Sequence, residues 1–271
     1  MKKVILITGA SSGMGKVFAL DLAKEGHNVY GAARRSDLLK ELETNGVKTI
    51  ALDVTDDASM QACVQTILEK EGRIDVLVNN AGYGSYGAVE DVPMEEAKRQ
   101  FEVNVFGLAR MTQLVLPAMR KQKSGKIINI SSIGGKIATP FGAWYHASKF
   151  AVEGMSDSLR TEVKPFGIDV IVIEPGGVKS EWAEIAQENF VKQTKNTAYS
   201  EMASKFKKAF ETTISKNAEP EVISRLVSKA IASPKPKTRY SGGYMAKPAL
   251  FMRRWAGDRT MDKLLLSQLP K

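Results

Sequence analysis

Val4-Ile5-Leu6-Ile7-Thr8-Gly9-Ala10-Ser11-Ser12-Gly13-Met14-Gly15 is the stretch whose reading decides the fold. Its first half is an uninterrupted apolar run, the pattern of a strand covered on both faces. Met1-Lys2-Lys3 ahead of it gives the look of a signal-peptide opening. The apolar run is too short for that, and Thr8-Gly9 breaks it at once. Its second half spaces three glycines as G-x3-G-x-G. A turn of this kind brings backbone close to a pyrophosphate, and a helix starting near Gly13 aims free N–H groups and a positive dipole end at the anion. Gly9, Ser11, Ser12, Gly13, Met14 and Gly15 are therefore candidate dinucleotide contacts.

Working outward, short runs rich in Val and Ile recur at 28–33, 47–52, 74–79, 125–131 and 168–174, with a last one near 237–241. Helical periodicity fills the gaps. Gly26, Gly46 and Gly72 each stand just before a strand, as helix C-terminal signals do. Strands that alternate with helices need crossover connections, which produce a parallel sheet. The expected fold is a single α/β Rossmann domain over residues 1–243: a doubly wound parallel sheet with helices on both faces and a ligand crevice at the strands' carboxyl ends. Residues 181–217 have helical character without strands and are read as a helical lid. Pro220 opens a further helix to about 232. Residues 244–271 form a basic C-terminal extension packed on the domain.

The second strand ends at Ala33, where a ribose 2′-hydroxyl would call for a carboxylate. Arg34 and Arg35 follow instead, and guanidinium forks suit a 2′-phosphate. NADP(H) is the expected cofactor. Asp37 lies close enough to keep NAD(H) open. Asp53-Val54 and Asn80-Ala81-Gly82 fall at the next strand ends as candidate adenine and ribose contacts. Asp53 serves equally as a turn or cap residue, and Asn79-Asn80 equally as a brace between strands.

Tyr145 and Lys149 are four residues apart and share one helix face. Ser132 stands thirteen residues before Tyr145, and Asn104 lies in an earlier helix. Together with the glycine-rich turn, Asn79-Asn80-Ala81-Gly82 and Pro175-Gly176-Gly177-Val178-Lys179-Ser180, this order resembles the classical short-chain dehydrogenase/reductase family, strongly over about 3–180 and loosely over 181–243. Ser180 stands where the family usually has Thr. The resemblance implies a catalytic set of Asn104, Ser132, Tyr145 and Lys149. Tyr145 would be the acid–base, its phenol shifted toward phenolate by the Lys149 ammonium together with the cationic oxidised nicotinamide. Ser132 would orient the substrate oxygen, Lys149 would hold the cofactor ribose, and Asn104 would hold a relay water. Pro175, Gly176, Val178 and Ser180 would add cofactor contacts. Within the family the stretch from Asn79 to Tyr86 looks most like the 17β-hydroxysteroid and retinol dehydrogenase-like branch, which implies a hydrophobic alcohol, ketone or aldehyde. A ketoacyl-type reductase, or a non-catalytic NADP-sensing or scaffold protein, stays open as an alternative.

Composition narrows the rest. The net charge of +9 comes wholly from residues 200–271, with 15 basic and 6 acidic side chains. No helix-turn-helix, zinc or RNP-type pattern accompanies it, so no nucleic-acid partner is expected. One cysteine, Cys63, excludes an intramolecular disulfide and a cysteine metal site, and suits a reducing cytoplasm. No metal is expected. His146 next to Tyr145 points elsewhere on the helix and is given a packing role. The family resemblance implies a homo-oligomer, dimer or tetramer, associated through the helices about 94–122 and 143–166. The extension also holds Phe251, Trp255 and Leu264-Leu265-Leu266; on a helix Leu265 and Leu269 share a face with Met261 while Arg259 and Lys263 lie elsewhere, an amphipathic pattern. Packing over the substrate cavity or a neighbouring subunit is the favoured reading, and contact with an anionic membrane surface is the other.

Overall fold

The computed structural model describes residues 2–179, 186 and 190–267. Seven strands form one all-parallel sheet: β1 (Val4–Thr8), β2 (Asn28–Ala33), β3 (Lys48–Ala51), β4 (Val76–Asn79), β5 (Gly125–Ile130), β6 (Ile168–Pro175) and β7 (Arg239–Gly242). Their order is β3-β2-β1-β4-β5-β6-β7. The order reverses between β1 and β4, which opens a crevice at the carboxyl ends of those strands. All seven expected strands are present, with ends that move by two residues at most.

The helices are α1 (Gly13–Lys24), α2 (Ser36–Glu43), α3 (Asp57–Glu71), α4 (Met94–Phe101), α5 (Leu108–Gln122), α6 (Ala143–Val163), α7 (Ser200–Ile214), α8 (Glu221–Ala232), α9 (Ala246–Trp255) and α10 (Asp258–Ser267). A π-helical turn, Glu102–Gly107, joins α4 to α5. Alternate residues of β1 explain why its apolar run is unbroken. Ile5 and Ile7 enter a core with Phe18, Leu22, Leu39 and Ile223 on one side. Leu6 enters a second core with Met60, Ile67, Met111 and Val115 on the other. Each of these side chains is removed from water, at about 1.5–3 kcal/mol apiece relative to exposure.

The glycine stops work as read. Gly72 caps α3 at φ 68°, a left-handed conformation that costs other residues a Cβ clash, and its N–H donates to the Leu68 carbonyl at 2.8 Å. At the far end of α8, Lys126 Nζ donates to the carbonyls of Ala230 and Ile231, both at 2.8 Å. An ammonium there satisfies orphan acceptors and complements the negative dipole end. Among the described residues no helix is long and apolar enough to cross a membrane, and no cluster of side chains has the composition to hold a metal ion.

Candidate active site

The glycine-rich turn lies at the reversal point of the sheet. A side chain at Gly15 would run into the Gly9 carbonyl and the Asn80 amide, and one at Gly9 would come within 2.8 Å of the Ala81 backbone. Only glycine permits this packing, which brings the N-terminus of α1 up against the ends of β1 and β4. A cavity of about 470 Å³ opens beside it, lined by Gly9, Ser11, Ser12, Gly13, Met14, Ala33, Arg34, Arg35, Asp53, Val54, Asn80, Ala81 and Gly82. Thus twelve of the residues expected from sequence to meet a dinucleotide share one cavity with Ala33. Arg35 Nη2 reaches across it to Ser12 Oγ at 2.9 Å. Burial works against the Asp53 carboxylate. Hydrogen bonds from Thr55 and the charges of Arg34 and Arg99 outweigh it and hold its pKa below the usual value.

Asn80 combines both roles that its position allowed. It lines the cavity, but its Nδ2 donates to the carbonyls of Thr8 at 3.0 Å and Gly9 at 3.1 Å, so its amide braces the turn. Asn79 is a brace only, donating to Thr112 and Asn129 at 3.0 Å. Tyr83, Glu96 and Arg99 also line the cavity and were missed by the sequence reading. Nothing in the local pattern of α4 marks Arg99; only the packing of α4 across the strand ends brings it there.

The other expected residues gather at the covered end of the crevice. Ser132 caps the 3₁₀ turn Ile133–Gly135 after β5, its Oγ accepting from Gly134 N at 3.0 Å. The same hydroxyl is hydrogen-bonded to the Tyr145 phenol. Lys149 lies one turn further along α6, with Nζ 2.9 Å from the Ile130 carbonyl and 5.9 Å from the Tyr145 ring centroid. Asn104 sits in the π turn. Its Nδ2 donates to Tyr83 O at 2.9 Å and Ser148 Oγ at 3.0 Å, and its Oδ1 accepts from Tyr83 N at 3.0 Å. Gly82 joins the two halves: a Cβ there would stand 3.1 Å from Asn104 Oδ1 and 3.8 Å from Lys149 Nζ.

Pro175, Gly176 and Val178 do not reach the cavity walls. Ser132 Oγ lies 3.4 Å from the Pro175 carbonyl, while Gly176 packs against Tyr244 and Ala246 at the start of the extension. Ser180 lies outside the described residues. His146 packs as expected. Its Nε2 accepts from Thr139 N at 3.0 Å, which leaves Nδ1–H to donate to the Gly134 carbonyl at 3.0 Å, and this fastens the turn that carries Ser132.

Burial pushes the Tyr145 phenol up to about 12, against a smaller lowering by Ser132. The cause is an aromatic cover. Tyr86 lies 5.8 Å from the Tyr145 ring and 6.5 Å from Phe206 of α7, and Phe141 lies 5.2 Å from Phe190. Only 7% of Tyr145 is exposed. Burial also brings Lys149 down to about 8, although Glu153 opposes that shift.

The comparisons bear on family and fold. Residues 3–190 match the family model for short chain dehydrogenase. Over 267 residues the chain is 39% identical to the 3-ketodihydrosphingosine reductase of Bacteroides thetaiotaomicron, covering 97% of this chain and 96% of that one. It is 33% identical over 279 residues to the NADPH-dependent 3-dehydrocapnine reductase of Ornithobacterium rhinotracheale, covering 98% and 97%. A short-chain dehydrogenase structure from Streptomyces avermitilis superposes with a TM-score of 0.84 at 33% identity, over 97% of this chain and 94% of that one. One from Burkholderia phymatum, in complex with NAD, superposes with a TM-score of 0.81 at 25% identity over 98% and 95%.

Proposed function

The chain belongs to the short-chain dehydrogenase family of oxidoreductases, which act on CH–OH and C=O groups, and on that premise we propose that it reduces the ketone of a long, apolar substrate with NADPH. The observation that carries this reading is the hydroxyl pair of Ser132 and Tyr145 beside Lys149, closed over by Tyr86, Phe141, Phe190 and Phe206. A ketone oxygen placed at the pair accepts from both hydroxyls. The phenol, held above its ordinary pKa, carries its proton at neutral pH and is poised as the acid of a reduction. As the proton leaves, the Lys149 ammonium favours the phenolate that forms. The Asn104 amide is engaged with Tyr83 and Ser148, so a relay water at this residue belongs on its main chain, where the π turn interrupts the ordinary helical ladder.

A nicotinamide cofactor fits the residues present: the glycine cradle would be filled by any Cβ, and the α1 N-terminus and Arg34 and Arg35 face the same cavity. Bound NADPH would supply the hydride. The Gly9–Gly15 turn would hold its pyrophosphate. Arg34 and Arg35 would hold its 2′-phosphate, with Asp53, Val54, Ala81 and Gly82 around the adenosine. Lys149 would hold the nicotinamide-side ribose, flanked by Pro175, Gly176 and Val178. Residues 1–243 form the catalytic domain in this reading, with 181–217 as its lid and 244–271 as an extension. Two relatives named for 3-keto and 3-dehydro substrates favour a ketone on a long chain. Exposed Met94, Phe106 and Phe150 lie on the helical stretch Met94–Gln122 and on α6, which supports assembly through those helices.

Loss of NADPH absorbance tests the proposal, with 3-ketones of increasing chain length. The expectation is a kcat/KM that rises roughly fourfold per methylene until the pocket is full, at ~0.8 kcal/mol each. NADPH should be preferred to NADH. Equal rates on short polar ketones, or a preference for NADH, would contradict the reading.

A further inference from the structure

The C-terminal extension leaves the carboxyl end of β7, the same edge of the sheet that holds the crevice. Tyr244 and Ala246 pack on Gly176 and Gly177, and α9 also touches the turn that carries Ser132. The extension is therefore fixed to the substrate half of the site. Its inner side is anchored by buried Ala246 and Met261. Its outer side is not covered. Trp255 is 72% exposed and Phe251 68%, four residues apart on one face of α9, and Leu266 of α10 is exposed as well.

Cations are interleaved with these apolar groups. Lys247 and Arg254 share the exposed face of α9 with Phe251 and Trp255; Arg259 and Lys263 share a face of α10 with Leu266 and with one carboxylate, Asp262. Among the described residues none of these four cations forms an ion pair, whereas Arg253, partly buried, pairs with Asp258 at 3.0 Å. The Arg254 guanidinium lies 5.6 Å from the Trp255 ring centroid. Residues 244–271 hold six basic and two acidic side chains.

We propose that the exposed faces of α9 and α10 dock the enzyme on an anionic phospholipid surface, with the substrate end of the crevice beside the bilayer. Aromatic groups that enter the headgroup layer, ringed by cations that meet lipid phosphates, are the make-up of an interfacial helix pair. A second copy fits less well. A twofold contact would set the same unpaired cations against each other, and the exposed apolar residues of Met94–Gln122 and α6 already offer a face for self-association. The proposal does not depend on the substrate, because docking is read with no substrate present.

The test is co-sedimentation of the full chain with phosphatidylcholine vesicles that either contain or lack phosphatidylglycerol. Wild-type protein should bind the anionic vesicles and not the neutral ones, and high salt should release it. Phe251→Ser with Trp255→Ser should weaken binding at least about tenfold. Lys247→Gln with Arg254→Gln, Arg259→Gln and Lys263→Gln should weaken it by several hundredfold, at about fivefold per cation. Both variants should keep wild-type rates on a water-soluble ketone. Absence of wild-type binding to anionic vesicles would overturn the proposal even if a variant failed to fold. So would binding that neither variant nor salt reduces. Sedimentation showing a dimer that the Phe251/Trp255 variant breaks, with no vesicle binding, would assign the face to a second copy instead.

Discussion

Ala33 places a methyl group at the end of β2, and Arg34 and Arg35 follow it around the cavity. Replacing Ala33 with Asp and Arg34 with Gln removes a fork and adds a repelling carboxylate. The ratio of kcat/KM for NADPH over NADH should fall by roughly tenfold to a hundredfold, the worth of a charged hydrogen bond at ~1.5–3 kcal/mol; an unchanged ratio would make the arginines surface residues. Lys149 makes a second prediction. Its pKa is lowered to about 8 by burial, so its charge is present below that pH and lost above it. Reduction should be level below pH 8 and fall above it. Glu153→Gln, which removes a charge that raises the Lys149 pKa, should move the falling limb to lower pH. A limb that stays in place would remove Glu153 from this role. The order of motifs along the chain, through its resemblance to the short-chain dehydrogenase family, made Tyr145, Lys149, Ser132 and Asn104 readable as a set, where the Tyr145–Lys149 spacing alone was not enough. The rise in the Tyr145 pKa was not legible, because it depends on Tyr86 and Phe206, which lie far apart in sequence and carry no motif.

Elements were legible where one periodicity held throughout. The central strands are apolar on both faces, and the first three helices stop at or just before a glycine, so the strand bounds followed from the sequence. The π turn did not: Asn104 reads as part of one helix from 94 to 122, and only the structure shows that Glu102–Gly107 widens there to present it to Tyr83 and Ser148. The stretch 200–214 was legible as helix but not as an aromatic cover, since Phe206 and Phe210 look like ordinary core residues of α7. Gly15 tests the element that begins the fold. Gly15→Ala puts a methyl group into the Gly9 carbonyl and the Asn80 amide. It should force the β1–α1 turn apart and weaken NADPH binding by at least about tenfold, measured by quenching of protein fluorescence. The expected loss of stability is about 1–3 kcal/mol, as for other overpacked sites. Wild-type cofactor affinity in this variant would show that the turn is not the pyrophosphate cradle.

At the scale of the whole molecule, β6, α6 and β7 are joined by a buried charge cluster. Arg239 pairs with Glu153 at 2.9 Å and Asp157 at 2.7 Å, and Lys136 pairs with Glu153 at 2.9 Å. Burial and the nearby Glu153 raise Glu174 to about 7 from its ordinary 4.5. A raised carboxyl adds stability below pH 4.5 that is lost as pH rises through 7. Glu174→Gln cannot ionise, so its melting temperature should gain on the wild type between pH 5 and pH 8. The gain should be several degrees, of order 3 kcal/mol at most; a pH-independent difference would contradict the assignment. The sheet order separates two tasks along one crevice. The glycine turn and the arginines lie at the ends of β1 and β2, and the Ser132 and Tyr145 hydroxyls lie beyond β5. Tyr145→Phe tests that separation and the central claim together, with single-turnover oxidation of NADPH by a 3-ketone and NADPH affinity measured on the same protein. The account predicts a fall in rate of at least ~10²-fold with affinity nearly unchanged. A variant that turns over near the wild-type rate would contradict it.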